Sequence, residues 1–157
     1  MVFEGRLVVL PGGGKPVKGL SGDPTVALAG GEETAGTVAV YEQVTAAGSG
    51  PPLHIHHECA EMFYVLEGEL TLRIGSDVVR APAGTFAFVP QGVTHTYTNL
   101  GTVPARLLYW FSPAARMTSY FTQLGKLPPG PPNRDAVDAI AREHGVSILW
   151  EGLDTST

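Results

Sequence analysis

Pro51-Pro52-Leu53-His54-Ile55-His56-His57 followed by Glu61-Met62-Phe63-Tyr64-Val65-Leu66-Glu67-Gly68 is the stretch whose reading decides the fold. With Gly48 it has the spacing G-x5-H-x-H-x4-E-x6-G. A second stretch, with Gly84, Pro90, Gly92, His95 and Asn99, has the spacing G-x5-P-x-G-x2-H-x3-N. His54 and His56 are two residues apart, so on a β-strand their imidazoles project to the same face, and Glu61 can return to that face after a short turn. His95, from a neighbouring strand, completes three nitrogens and one carboxylate oxygen. Such a donor set suits one divalent transition metal (Fe, Ni, Mn, Co or Zn) and suits Ca or Mg poorly, because those prefer oxygen shells.

Outward from these motifs, the sequence is punctuated as short strands. The segments 37–44, 53–57, 61–66, 69–74, 78–80, 85–89, 94–98 and 105–111 are apolar or alternating. Between them stand Glu67-Gly68, Gly75-Ser76-Asp77, Ala83-Gly84, Pro90-Gln91-Gly92 and Asn99-Leu100-Gly101, the residue types that tight turns need. About eight such strands predict an all-β jelly-roll barrel with a central cavity. Before it, 7–10 and 26–29 read as edge strands among glycine clusters. Gly12-Gly13-Gly14-Lys15 is no phosphate loop, because Pro16 stands where Ser or Thr is required. After the barrel, Met117, Tyr120, Phe121 and Leu124 recur at helical spacing and predict a helix over 114–124 that seals the outside of the barrel or, alternatively, caps its mouth. The prolines of 128–132 force an extended connection. Asn133 caps a second helix that ends near His144 with Gly145 as its stop.

Composition narrows the function. The 157 residues, 43% hydrophobic, read as one domain over 1–157, with a barrel core at about 37–112 and a C-terminal helical extension at about 113–157. Ten Lys and Arg against fifteen Asp and Glu, a formal net charge of -5, leave no basic face for nucleic acid. No apolar run approaches the roughly 18–20 residues that span a bilayer, so no membrane association is expected and a cytoplasmic protein fits. Cys59 is the single cysteine and excludes an intrachain disulfide. The apolar N-terminal strands are suited to completing a sheet across a homodimer.

The motifs, together with Phe88-Val89-Pro90-Gln91-Gly92-Val93-Thr94-His95 and a tail of a helix followed by Val146-Ser147-Ile148-Leu149, resemble the small single-domain cupins similar to quercetin 2,3-dioxygenase. The resemblance implies a double-stranded β-helix with N-terminal strands and short C-terminal helices. It makes His54, His56, Glu61 and His95 the metal ligands. It implies a metal-dependent dioxygenase that cleaves a flavonol-like substrate with O2. Glu61 would serve as ligand and catalytic base for an enolisable or phenolic small molecule. The same barrel hosts isomerases, cyclases, decarboxylases and plain binding proteins, and these are the alternatives. By strand alternation, Phe63 and Val65 share the face of Glu61, and Tyr97 that of His95. With Phe88 and Tyr109 they are the candidate substrate pocket; Phe86, Tyr41 and Phe111 are further aromatic candidates. His57 and His144 read as structural.

Overall fold

The computed structural model describes residues 2–3 and 5–151. The strands in chain order are β1 (Val2–Phe3), β2 (Arg6–Leu7), β3 (Lys15–Val17), β4 (Thr25–Ala29), β5 (Ala39–Thr45), β6 (His54–His56), β7 (Ala60–Glu67), β8 (Glu69–Ile74), β9 (Asp77–Pro82), β10 (Phe86–Val89), β11 (His95–Thr98) and β12 (Ala105–Ser112). Helices α1 (Met117–Gly125) and α2 (Arg134–Glu143) follow, then β13 (Val146–Ile148). A six-stranded antiparallel sheet has the order β10-β7-β12-β5-β4-β3, a five-stranded one the order β13-β6-β11-β8-β9, and β1-β2 form a separate pair. This is the jelly roll that the strand punctuation predicts. No helix among the described residues is long and apolar enough to cross a membrane.

Alternation builds the core. Along β12, Ala105, Leu107, Tyr109 and Phe111 are buried while Arg106, Leu108, Trp110 and Ser112 are partly exposed. Along β5, Ala39, Tyr41, Gln43 and Thr45 face inward, and along β7, Glu61, Phe63 and Val65 do. The large buried side chains, Leu107 and Val65 among them, each contribute about 1.5–3 kcal/mol by leaving water.

The ends extend the barrel beyond 37–112. β3 and β4 continue the six-stranded sheet from the N-terminal side, and β13 pairs with β6, placing Val146 opposite His56 and Ile148 opposite His54. The expected strand over 7–10 reduces to β2, since Val8 and Leu10 are exposed and outside the strands. Asn133 caps α2 as expected, its side chain accepting from the Ala136 amide, and Gly145 ends it at φ +71°. His144 ties α2 to α1: its Nδ1 lies 2.7 Å from the Ile140 carbonyl oxygen and its Nε2 2.9 Å from Ser119 Oγ. Tail residues 152–157, Leu153 included, lie outside the described residues.

Candidate metal centre

The spacing of the two motifs corresponds to joints between strands. Gly48 donates its amide to the Asn99 carbonyl at 2.7 Å, and the Asn99 amide donates to Ser49 O at 2.9 Å, so the start of one motif meets the end of the other. At the opposite end, the Gly84 amide donates to Val65 O and the Ala83 amide to Gly68 O. Gly68 is where the chain crosses from β7 in one sheet to β8 in the other, at φ +76°, rather than a hairpin within one sheet. The Pro90-Gln91-Gly92 turn clamps the histidine strand, with the Gly92 amide donating to His56 O and Gln91 Nε2 to His57 O.

These joints bring the four ligand candidates together. His54 and His56 come from β6 and His95 from β11, which pair with His95 opposite His54 in the five-stranded sheet. Glu61 reaches across the barrel from β7 in the six-stranded sheet. One donor atom from each of the four lies within 4.8 Å of the others, and all four side chains are buried. His95 Nε2 is 2.7 Å and His56 Nε2 3.1 Å from Glu61 Oε2.

The rings are held for metal binding. His54 Nδ1 is 2.8 Å from the Pro52 carbonyl oxygen and His95 Nδ1 2.9 Å from that of Val93. A carbonyl only accepts, so Nδ1 carries the hydrogen in each neutral ring and Nε2 presents its lone pair to the centre. His56 is buried, its Nδ1 has no hydrogen-bond partner among the described residues, and its Nε2 lies 3.1 Å from Glu61 Oε2 without hydrogen-bond geometry. An unsatisfied buried polar atom costs about 1–3 kcal/mol, and a divalent ion would satisfy it. The cluster therefore fits a divalent transition metal, and its identity stays open among Fe, Ni, Mn, Co and Zn.

Electrostatics agree with that fit. Burial holds the His54 proton affinity well below the ordinary imidazole value, helped by His95 and His56, and burial also lowers that of His56. Burial opposes charge on Glu61, yet the neighbouring imidazoles of His56 and His95 keep it a carboxylate far below the usual range. For His95, burial is outweighed by Glu61, and the imidazole is raised above its ordinary value. Cys59 is buried, and desolvation pushes its thiol up to about 12.

A cavity of about 30 Å³ adjoins the centre, with His54, His56 and Glu61 in its wall. Tyr97, which alternation puts on the face of His95, lines it together with Tyr109 and Phe111, two of the aromatic candidates. Phe63 is buried behind His95, ring centroids 6.2 Å apart, and Val65 is buried in the core; neither lines this cavity. Phe88 is a correction: it is 53% exposed on the outer face of β10, as is Phe86, because Val89 rather than Phe88 pairs with Glu61 and shares its inward face. His57 points away, its Nε2 2.7 Å from Ser147 Oγ. The helix expected to seal the barrel from outside does more, since Tyr120 and Phe121 of α1 line the cavity with Leu20 of the β3–β4 loop. Gln43 also lines it, and an amide at an inward position of an alternating strand was the signal in the sequence.

Residues 41–111 match the family model for the cupin domain. The barrel has the cupin fold. The chain is 34% identical over 70 residues to the tetracenomycin polyketide synthase protein TcmJ of Streptomyces glaucescens, a match covering 45% of this chain and 47% of the relative. The chain spans about half the length of the curated relatives it matches. Among solved structures, the RmlC-like cupin of Shewanella frigidimarina is 19% identical with a TM-score of 0.62, over 72% of this chain and 96% of the other. The polyketide cyclase RemF of Streptomyces resistomycificus is 19% identical with a TM-score of 0.58, over 68% and 79%. At these identities the two structures speak to the fold alone.

Proposed function

We propose that this cupin is a metal-dependent enzyme acting on an enolisable or phenolic small molecule, with oxygen-independent enolate chemistry such as ring closure ahead of cleavage by dioxygen. The observation that carries the reading is Glu61, the one carboxylate in the wall of the cavity among the described residues, set against three imidazoles beneath Tyr97, Tyr109 and Phe111. His54, His56, His95 and Glu61 would hold the ion. A bound divalent ion supplies Lewis acidity that stabilises negative charge developing on a ligand oxygen. Glu61 is the group able to take the proton that the ligand loses. Burial raises the phenols of Tyr97 and Tyr109, so they stay protonated and act as donors or apolar walls rather than bases. Leu20, Phe111 and Phe121 exclude water from the developing charge. The likeness to a polyketide synthase protein supports a polyketide-type substrate, because β-polyketones carry acidic protons next to carbonyls. Flavonol cleavage by O2 is the second reading, supported by the likeness of the motif wording to quercetinases.

Exchange of the methyl protons of 2′-hydroxyacetophenone in D2O under argon tests the first reading. The Zn-loaded protein is expected to catalyse it and the apoprotein not, with Glu61→Gln at metal saturation slower by about 100-fold or more. Oxygen uptake on adding quercetin to Fe-, Mn-, Co- or Ni-loaded protein, without anaerobic exchange, would favour the second. Neither activity with any metal would sink both.

A further inference from the structure

A second pocket lies across a lid formed by Leu20 and α1 from the metal cavity. Gly19 and Leu20 line both it and the metal cavity, and its remaining walls are α1 through Leu124, Leu127, the prolines of 128–132, α2 through Val137, and Trp150. Its volume is about 130 Å³ against about 30 Å³ for the inner cavity. The inner space is far below the roughly 150 Å³ of an engineered apolar cavity that accepts benzene, and the outer one approaches it. The outer pocket therefore offers an aromatic ring more room than the inner cavity does. The outer wall is built rather than incidental: Trp150 donates from Nε1 to Asp138 Oδ1 at 2.8 Å, and the Arg134 guanidinium lies 4.9 Å above its ring. Lys18 is the single charged side chain among the described lining residues, so the pocket selects an apolar group.

We propose that this pocket is the outer subsite of the metal centre, taking an aromatic ring of an elongated ligand whose oxygen-chelating head reaches the His54, His56, His95 and Glu61 cluster past Leu20. The inference rests on the metal-chelation reading above. It also gives the proline connection and the C-terminal Trp150 a role in specificity: they hold the end of the ligand distant from the chemistry, where binding energy positions the head. Leu20 is the junction, and its side chain must turn aside for a ligand to occupy both spaces.

Maltol and 3-hydroxyflavone share a 3-hydroxy-4-pyranone head, and the flavone adds aromatic rings. Their binding to Zn-loaded protein is compared by calorimetry, and by Trp150 fluorescence in a Trp110→Phe background. The flavone is expected to bind at least about 10-fold tighter and to quench Trp150, with maltol leaving Trp150 unchanged. Leu127→Asp is expected to bring the flavone down to the affinity of maltol, with maltol binding and zinc content unaltered. Leu20→Trp, which fills the junction, is expected to abolish the preference too and serves if Leu127→Asp does not fold. Maltol binding without a flavone preference, or a preference that survives a folded variant, overturns the outer subsite alone. Binding of neither compound to zinc-saturated protein overturns the chelation reading and the subsite with it.

Discussion

His95 Nε2 and Glu61 Oε2 meet at 2.7 Å from opposite sheets of the barrel, although 34 residues separate them in the chain. The carboxylate is thereby aimed at the same point as three imidazoles. Glu61→Gln removes the one negative donor and is expected to lower divalent-metal affinity by at least the roughly 10–100-fold seen when groups supporting metal ligands are lost. Chelator competition with metal analysis reads this, with His57→Ala as a control that binds like the parent. Parental affinity in Glu61→Gln would remove the carboxylate from the ligand set.

Metal capture is expected to release about one proton near neutral pH, because ligating imidazoles must be neutral. Burial already keeps His54 and His56 neutral, whereas Glu61 raises the proton affinity of His95. The sign follows: apparent affinity weakens as pH falls through the raised value of His95 and levels off above it. Calorimetry in two buffers of different ionisation enthalpy measures the release, and no release at neutral pH would contradict it.

Gln43 anchors a buried polar network beside the cavity. Its Oε1 accepts from Tyr97 Oη at 3.1 Å and from Thr25 Oγ1 at 3.2 Å, and its Nε2 donates to Thr45 Oγ1 at 3.1 Å. Tyr97→Phe leaves Thr25 as donor and is expected to cost about 1 kcal/mol. Gln43→Leu strands the Tyr97 hydroxyl and removes the donor to Thr45, while Thr25 Oγ1 keeps the Asp23 carbonyl at 3.0 Å, and is expected to cost more, about 1–3 kcal/mol. Urea denaturation ranks the two, and the reverse order would show that the network is not centred on Gln43.

Gly50 is expected to tolerate substitution less well than Gly48. A Cβ at Gly50 would collide with the Tyr97 carbonyl oxygen and come within 3.0 Å of Thr98 Cα, both backbone atoms of the strand that carries His95. Gly50→Ala should cost about 3 kcal/mol or more. Gly48, at φ +81° with nothing within 4 Å of a Cβ, should lose about 1–2 kcal/mol to Ala from its left-handed backbone alone. Equal losses in thermal unfolding would argue against the clash.

Phe88→Ser is expected to leave zinc content and maltol affinity as in the parent, since Phe88 lies on the outer face of the barrel. A change in either by more than about threefold (about 0.6 kcal/mol) would return it to the pocket.

The alternation of β5, β7, β11 and β12, the spacing of the two motifs, and the Asn133 and Gly145 signals of α2 were legible in the sequence because each is a local constraint. Period two sends every second side chain inward, and a cap acts within one turn. By itself the sequence thus determined the jelly roll and the four residues that converge. Other features required the tertiary structure. In β10 both phases are apolar, Phe86 and Phe88 against Ala87 and Val89, so only pairing with β7 decided that the aromatics face out. Gly50 carries no motif signal, because its constraint is the approach of the Tyr97 backbone, 47 residues on. The lid and the pocket beyond it depend on where α1, the β3–β4 loop and Trp150 dock, and those placements come from packing between segments remote in sequence.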